Sequence, residues 1–236
     1  MARSFFALPL LWLSFATVSL AGVVQPSSAS PQLPLEAIQE AAVGYDVPAD
    51  YGGSQLDSSA GLGEPLNIII SALSSPEVLT NKGLENWARS IAFSTECLGF
   101  HLGNPQTANL GDGLGWQNET AVLRFDYDNA ITGSCLESFT GGNHFRFWKQ
   151  ATTGAYFLAA SIEEWIGEHH NIIPNGYDKG RDVIVITATG HTKYMMNEYL
   201  TASYYVTGLL KPGTEGINHN ISIDGRVAVL TIAKIA

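Results

Sequence analysis

The fold is decided by residues 143–149, which read Asn-His-Phe-Arg-Phe-Trp-Lys. Successive side chains of a β-strand point to opposite faces, so His144, Arg146 and Trp148 share one face and the two phenylalanines share the other. Aromatic residues are frequent in strands, and the phenylalanine face is suited to a core. The stretch therefore predicts a strand with one face in the core and His and Arg on the other.

Working outward, residues 121–127 and 155–162 are also aromatic or β-branched and are separated from the central stretch by glycine-containing turns. This spacing predicts neighbouring strands of an antiparallel sheet. Further upstream, residues 66–71 form a compact β-branched run after Pro65, which is typical of a buried strand.

Two segments have helical features. Ser75 precedes Pro76 and Glu77 and is predicted to cap a helix whose apolar residues recur at i, i+3, i+4 and i+7; these residues are Leu84, Trp87, Ala88 and Ile91. The second predicted helix lies near residues 177–188. Its alternative is a strand, because residues 183–186 read Val-Ile-Val-Ile and periodicity alone does not decide between the two.

The C-terminal residues 221–223 and 227–232 flank Asp224-Gly225, a dipeptide that favours a tight hairpin turn. Together these patterns predict an α+β fold. Its sheet is mixed and largely antiparallel, two helices pack on the sheet, and a β-hairpin ends the chain.

The N-terminus predicts export. Arg3, an apolar run over residues 5–15 and Ser19-Leu20-Ala21 have the order of a secretory signal peptide, here assigned to residues 1–21. Residues 22–64 are rich in Ser, Pro, Gly and Ala and are predicted to be a leader, linker or pro-segment. A single α+β domain is then expected over residues 65–236.

Composition narrows the classes of partner. Of the 236 residues, 45% are hydrophobic and 14% are charged, as in a folded globular chain, and the formal net charge is -10. Nucleic acids and anionic membranes are bound mainly through Lys and Arg clusters, which this chain lacks. We therefore expect no nucleic-acid partner and no membrane partner, and no later stretch is apolar enough to span a bilayer.

Two further features fit an extracellular protein. The two cysteines, Cys97 and Cys135, are expected to form a disulfide after export, the alternative being two buried thiols. Asn118 and Asn220 each begin an N-x-Ser/Thr sequon, and Asn118 is the preferred glycosylation site because it follows a glycine-rich loop. That loop, residues 99–117, lacks the Gly-Lys-Ser/Thr ending of a phosphate-binding loop, so no nucleotide or other cofactor is predicted.

The polar residues after residue 141 form the candidate site: His144, Arg146, His170, Asp178 and Arg181. Histidine titrates near neutral pH and arginine holds carboxylates or phosphates with paired hydrogen bonds, so the set could perform acid–base chemistry on an anion. Alternatively, Arg146 and Arg181 form structural ion pairs with Asp178, Asp182 or Glu163, and His144 and His170 hydrogen-bond to backbone groups. A metal site of His144, His170 and a carboxylate has suitable ligand types, but its spacing is not diagnostic and no metal is predicted.

The same residues carry a resemblance. His144-Phe145-Arg146-Phe147-Trp148, Ala159-Ala160-Ser161, His170-Asn171-Ile172-Ile173 and Asp178 with Arg181-Asp182 resemble the C-terminal domain of bacterial LssY proteins and a group of small secreted fungal proteins. The similarity covers roughly residues 65–189. It implies a fold and a set of equivalent positions, but no reaction, because the family is uncharacterised.

These observations predict a secreted extracellular glycoprotein that binds an extracellular protein or glycan in the cell wall or at a host interface. The alternative is an extracellular hydrolase that uses the His/Arg/Asp cluster. Whether the protein is an enzyme stays open at this point.

Overall fold

The structure, a computed structural model, describes residues 43–59, 61–101 and 103–236. The predicted signal peptide and the first part of the predicted leader lie outside these residues. The described chain is an α+β fold with a mixed, mostly antiparallel sheet of eight strands. The predicted fold class is therefore confirmed.

The described residues contain three α-helices, α1 (Asn81–Arg89), α2 (Gly133–Thr140) and α3 (Gly176–Ala188). The strands are β1 (Ile68–Ile70), β2 (Phe93–Thr95), β3 (Thr107–Asn109), β4 (Trp116–Asn118), β5 (Ala121–Phe125), β6 (Gly142–Lys149), β7 (Tyr156–Glu163), β8 (Gly190–Tyr194), β9 (Asn197–Val206) and β10 (Val227–Lys234). The large sheet has the order β2-β5-β6-β7-β1-β10-β9-β8, in which β1 and β10 are parallel, and β3 pairs with β4 in a separate ribbon.

Helix α1 begins later than predicted. Ser75 does not cap it: the Ser75 carbonyl accepts a hydrogen bond from the Val78 amide in a turn, and the helix is capped by Thr80, whose hydroxyl accepts from the Gly83 amide at 3.0 Å. Ile91 lies just beyond the helix but is still buried. Helix α3 confirms the second predicted helix and excludes the strand alternative at residues 183–186.

The C-terminal strand pair is present, but its members differ from the predicted ones. β10 pairs antiparallel with β9 and parallel with β1, whereas Ile223 forms an isolated bridge with Gly213. Gly225 does adopt the positive φ of 78° that the turn prediction required. The residues around it form an irregular connection that leads into β10 rather than a two-residue hairpin.

Helix α2 was not predicted. It carries Cys135, which forms a disulfide with Cys97 across a Cα–Cα distance of 4.4 Å, so the predicted pairing is confirmed. Cys97 begins a short turn, Cys97–Gly99, that lies against this helix. The disulfide thus joins the helix to the segment that follows β2.

Two hydrophobic cores lie on opposite faces of the sheet. The first contains Trp87 of α1 with Phe145 and Phe147, so the predicted phenylalanine face of β6 is buried as expected. The second contains Trp148 from the other face of β6, together with residues that precede β1. Among the described residues, none of the helices is both long enough and apolar enough to cross a membrane.

The described part of the predicted leader or linker packs against the second core through Val43, Tyr45, Val47 and Leu56. Tyr45 is buried and its ring meets the edge of Phe157 at a centroid distance of 6.2 Å. The Asp46 amide donates to the Gln150 side chain, and the Gly63 amide donates to the Gly216 carbonyl. The domain boundary expected at residue 65 therefore falls inside the packed structure. The sequence did not indicate this packing, because the buried residues of the segment are separated by glycine and serine turns.

Candidate functional site

Three adjacent strands bring the polar side chains together. In the sheet register, Arg124 of β5 lies opposite His144 of β6, which lies opposite Ser161 of β7. Arg146 and Glu163 lie two residues further along their strands and therefore share this face. We call the charged residues on and above this face the acidic cluster: Asp57, Glu64, Glu96, Glu119, Arg124, Glu137, His144, Arg146, Glu163 and His170.

His144 is at the centre of the acidic cluster and is fully buried. Its Nε2 atom lies 3.3 Å from Arg146 Nη1, 3.4 Å from Ser161 Oγ and 3.6 Å from Glu163 Oε1. Burial, followed by the charges of Arg124 and Arg146, lowers the pKa of His144 well below its ordinary value. The imidazole is therefore neutral at neutral pH and can act as a hydrogen-bond acceptor or a metal ligand.

Arg146 holds two acids from outside its own strand. Its Nη1 lies 3.3 Å from Glu64 Oε2 and its Nε lies 3.0 Å from Glu119 Oε2. Glu64 precedes β1 and Glu119 precedes β5, so one side chain ties two connecting segments to the sheet. Arg146 thus has the structural role that the ion-pair interpretation assigned to it, but with different partners.

Arg124 is the second arginine of the cluster. Its Nη1 lies 2.9 Å from Glu137 Oε2 and 3.4 Å from Glu163 Oε2, and its Nε lies 3.7 Å from Glu96 Oε1. Glu137 comes from helix α2, so this contact fixes the helix over the sheet. On the solvent side, His170 Nδ1 lies 3.4 Å from Glu163 Oε2, and the His170 side chain is about one-third exposed.

The carboxylates outnumber the permanent cations. Six acids face two arginines, and several of the acids are buried. Burial, then the charge of Glu64, raises the pKa of Asp57 to about 8. Burial likewise raises the pKa of Glu137 to about 7, although Arg124 opposes the shift, and it raises the pKa values of Glu64 and Glu119. The cluster therefore favours binding of protons or of another cation.

Asp178 and Arg181 belong to a separate group of charges. Arg181 is buried on helix α3 and forms a bidentate pair with Asp224 at 2.7 and 2.9 Å; it also contacts Asp178 and Asp182. Although burial opposes ionisation, hydrogen bonds from Arg181 and Arg226 lower the pKa of Asp224. This group joins helix α3 to the start of β10, so the structure divides the five candidate residues into two sets.

Several residues of the acidic cluster were missed. Arg124 lay within the predicted strand 121–127, and its alternation with Leu123 and Phe125 was a usable signal. Glu137 lay in a segment with no assigned structure, and Glu64 and Asp57 lay in the predicted leader. No local pattern marks these acids, because their positions depend on contacts between segments far apart in the chain.

One cleft opens onto the acidic cluster, and a second lies beside Asn171, the neighbour of His170 in the chain. The first, of about 340 Å³, is lined by Glu96, His101 and Glu119, so it reaches the carboxylates that pair with the two arginines. The other, of about 540 Å³, is lined by residues that include Asn171, His219 and Asn220. Small molecules or ions can reach the edge of the acidic cluster through the first cleft.

Helix α2 presents an unusual surface. Its buried residues are Gly133, Ser134 and Glu137, whereas Leu136 and Phe139 are 47% and 62% exposed. Other exposed large apolar residues lie on or beside two turns packed against this helix, Cys97–Gly99 and Ile166–Glu168, and Ile131 lies just before the helix. We call the whole set the apolar patch: Leu98, Phe100, Ile131, Leu136, Phe139, Trp165 and Ile166.

Both sequon asparagines, Asn118 and Asn220, are exposed. Their glycosylation stays a prediction. Comparison with known proteins finds no match among protein-family models, curated proteins or solved structures. The resemblance to the LssY C-terminal domain therefore stays a prediction as well.

Proposed function

We propose that this protein is secreted and acts by binding a protein partner in the extracellular space, through the apolar patch. The observation that carries the proposal is the inverted polarity of helix α2, which buries a glutamate and exposes Leu136 and Phe139. A surface helix ordinarily buries its apolar residues. Exposed aromatic and aliphatic residues on neighbouring segments are typical of protein interaction sites.

The surroundings of the patch support a stable binding surface. The Cys97–Cys135 disulfide joins two of its segments, and the Arg124–Glu137 pair anchors the helix from below. A surface that is already ordered loses less conformational entropy on association. The net charge of -10 disfavours anionic lipid as the partner and favours a protein with a neutral or basic rim around an apolar centre.

The test is a binding measurement with a matched control. Candidate partners are captured from culture fluid and cell-wall extract, purified, and titrated with the wild-type protein. Phe139→Asp is expected to weaken binding at least tenfold, because it places a charge in the apolar centre. Ile186→Asp is the control, because Ile186 is also exposed but lies on helix α3, outside the patch.

Equal binding by the two variants would overturn the role of the patch. Loss of binding on enzymatic removal of glycans from the partner, with Phe139→Asp unaffected, would indicate a glycan-binding protein instead. Sedimentation of the wild type alone shows whether the patch binds a second copy of the chain.

The hydrolase hypothesis has weaker support. His144 is buried, and Ser161, the hydroxyl nearest to it, is buried as well. Asp178 and Arg181 are committed to the ion pairs around Asp224. His170, whose side chain is about one-third exposed, and Glu163 beside it could contact a substrate. Loss of a measured hydrolytic activity in His170→Ala, with an unchanged melting temperature, would favour an enzyme.

A further inference from the structure

Glu137 occupies an unusual position for a carboxylate. Its side chain is completely buried, and one oxygen, Oε2, receives Arg124. Its other oxygen, Oε1, has no hydrogen-bond partner within residues 43–59, 61–101 and 103–236. Burying a carboxylate oxygen without a hydrogen-bond donor destabilises the fold, and binding of a cation or a proton to this atom would offset that penalty.

Two further ligand atoms lie beside Glu137. One atom each from Glu137, His144 and Glu163 lie within 4.8 Å of one another. We propose that these three side chains bind a divalent transition-metal ion, with Zn²⁺ as the first candidate and Mn²⁺ as the second. The proposal does not depend on the binding function assigned to the apolar patch.

The donor set determines the class of metal. Two carboxylates and one imidazole are suitable ligands for Zn²⁺ and Mn²⁺, whereas Ca²⁺ and Mg²⁺ prefer oxygen atoms alone. The three ligand atoms lie within 4.8 Å of one another, and bonds of about 2.0 to 2.2 Å to Zn²⁺ would require them to lie closer together than this limit.

Residues around the three ligands suit a metal site. Arg124 contacts the Oε2 atoms of Glu137 and Glu163 and would orient both carboxylates, as partners behind metal ligands commonly do. His170 lies 3.4 Å from Glu163 on the solvent side. It could complete the coordination as a fourth ligand, and because it is partly exposed it also marks the route by which an ion enters.

The charge of the acidic cluster also favours binding of a divalent cation. Its two arginines leave an excess of carboxylates on the buried side of β5, β6 and β7. A divalent ion next to Glu137 and Glu163 would offset two of these negative charges. The same ion would link helix α2, β6 and β7, and would therefore strengthen the attachment of the helix.

The experiment uses the full secreted chain, treated with chelator and then titrated by calorimetry with Zn²⁺, Mn²⁺ and Ca²⁺. We expect one Zn²⁺ or Mn²⁺ per chain, no comparable Ca²⁺ binding, and a melting temperature raised by several degrees at saturation. Glu137→Gln should weaken binding at least tenfold, because the isosteric amide lacks the charge. Glu119→Gln is the control: it removes another buried carboxylate of the cluster but leaves the three ligands.

A wild type that takes up none of the transition metals would overturn the proposal, and so would equal affinities in Glu137→Gln and Glu119→Gln. If Glu137→Gln does not fold, Glu163→Gln replaces it, because Glu163 is partly exposed and tolerates the change better. Co²⁺ provides an independent readout, since its visible absorption reports coordination by carboxylate and imidazole. A spectrum of hydrated Co²⁺ alone would contradict the site.

Discussion

At the scale of single residues, Asp57 shows how burial controls the chemistry of the acidic cluster. Its Oδ1 accepts a hydrogen bond from the Glu64 amide at 2.7 Å, and its Oδ2 has no partner among the described residues. Glu64 and Glu119 add negative charge nearby, and Arg146 adds positive charge. The balance favours the protonated acid, so Asp57 acts as a hydrogen-bonding group rather than as an anion.

Asp57→Asn is expected to stabilise the protein at high pH. The pKa of Asp57 is raised to about 8, whereas an unfolded chain ionises near pH 4. Between these values the folded state holds the extra proton, so the contribution of Asp57 to the free energy of unfolding falls as pH rises. At pH 8 the variant should be more stable than wild type by about 1 to 3 kcal/mol, and near pH 4 the two should agree.

Denaturant unfolding at pH 4 to 8.5 measures this difference, with exposed Asp50→Asn as the control. The lowered pKa of His144, caused by burial and then by Arg124 and Arg146, acts in the opposite direction below about pH 6.5, where the unfolded imidazole binds a proton. His144 is present in both proteins, so the comparison isolates Asp57. A difference between the two proteins that does not change with pH would contradict the assignment.

At the scale of elements, close packing of helix α3 on β7 depends on Gly180. A Cβ atom at this position would lie 2.8 Å from the Ser161 backbone. The Asn143 side chain donates to the Gly180 carbonyl, and Asn67 donates to the Ala160 and Tyr177 carbonyls. A glycine and two amide side chains thus bring helix α3 against β7, the strand that carries Ser161 and Glu163.

The disulfide makes a separate contribution to stability. Cys97 and Cys135 are 38 residues apart, and closing a loop of this length is expected to stabilise the fold by about 4 kcal/mol through the entropy of the unfolded chain. Cys97→Ser/Cys135→Ser should lose this stability in denaturant unfolding and should weaken partner binding by the apolar patch. The variant should also be insensitive to reductant. Identical unfolding of oxidised and reduced wild type would contradict the prediction.

Local patterns predicted some elements and not others. The alternation of side chains over residues 143–149 was sufficient to predict β6 and its two faces, because successive side chains of a strand point to opposite sides of the sheet. Asp224-Gly225 predicted the wrong partner for β10. The strand that pairs with β10 is β9, which ends at Val206, far before this dipeptide in the chain. Asp224 instead accepts hydrogen bonds from Arg181. Glu64, Glu119 and Glu137 could not be predicted to lie together either, since they converge only after the segments that carry them fold onto the sheet.

At the scale of the whole molecule, the large sheet separates an apolar core on one face from a core that also contains buried charged residues on the other. The first core is apolar and is covered by helices α1 and α3. The opposite face combines the second core with the acidic cluster, and its cover includes residues 43–64. The acidic cluster therefore lies on the face that the N-terminal segment helps to cover, and the apolar patch includes helix α2, which supplies Glu137 to that cluster.

This arrangement predicts where the mature chain begins. A chain starting at Val43 should fold, whereas one starting at Leu66 should lose several kcal/mol, because it exposes the second core and leaves Arg146 without Glu64. N-terminal sequencing of the secreted product should therefore find the terminus before residue 43. The two truncated chains, compared by thermal unfolding, provide the control. A stable secreted form that starts at Leu66 would show that the segment is a removable leader and that its contacts contribute little to the fold.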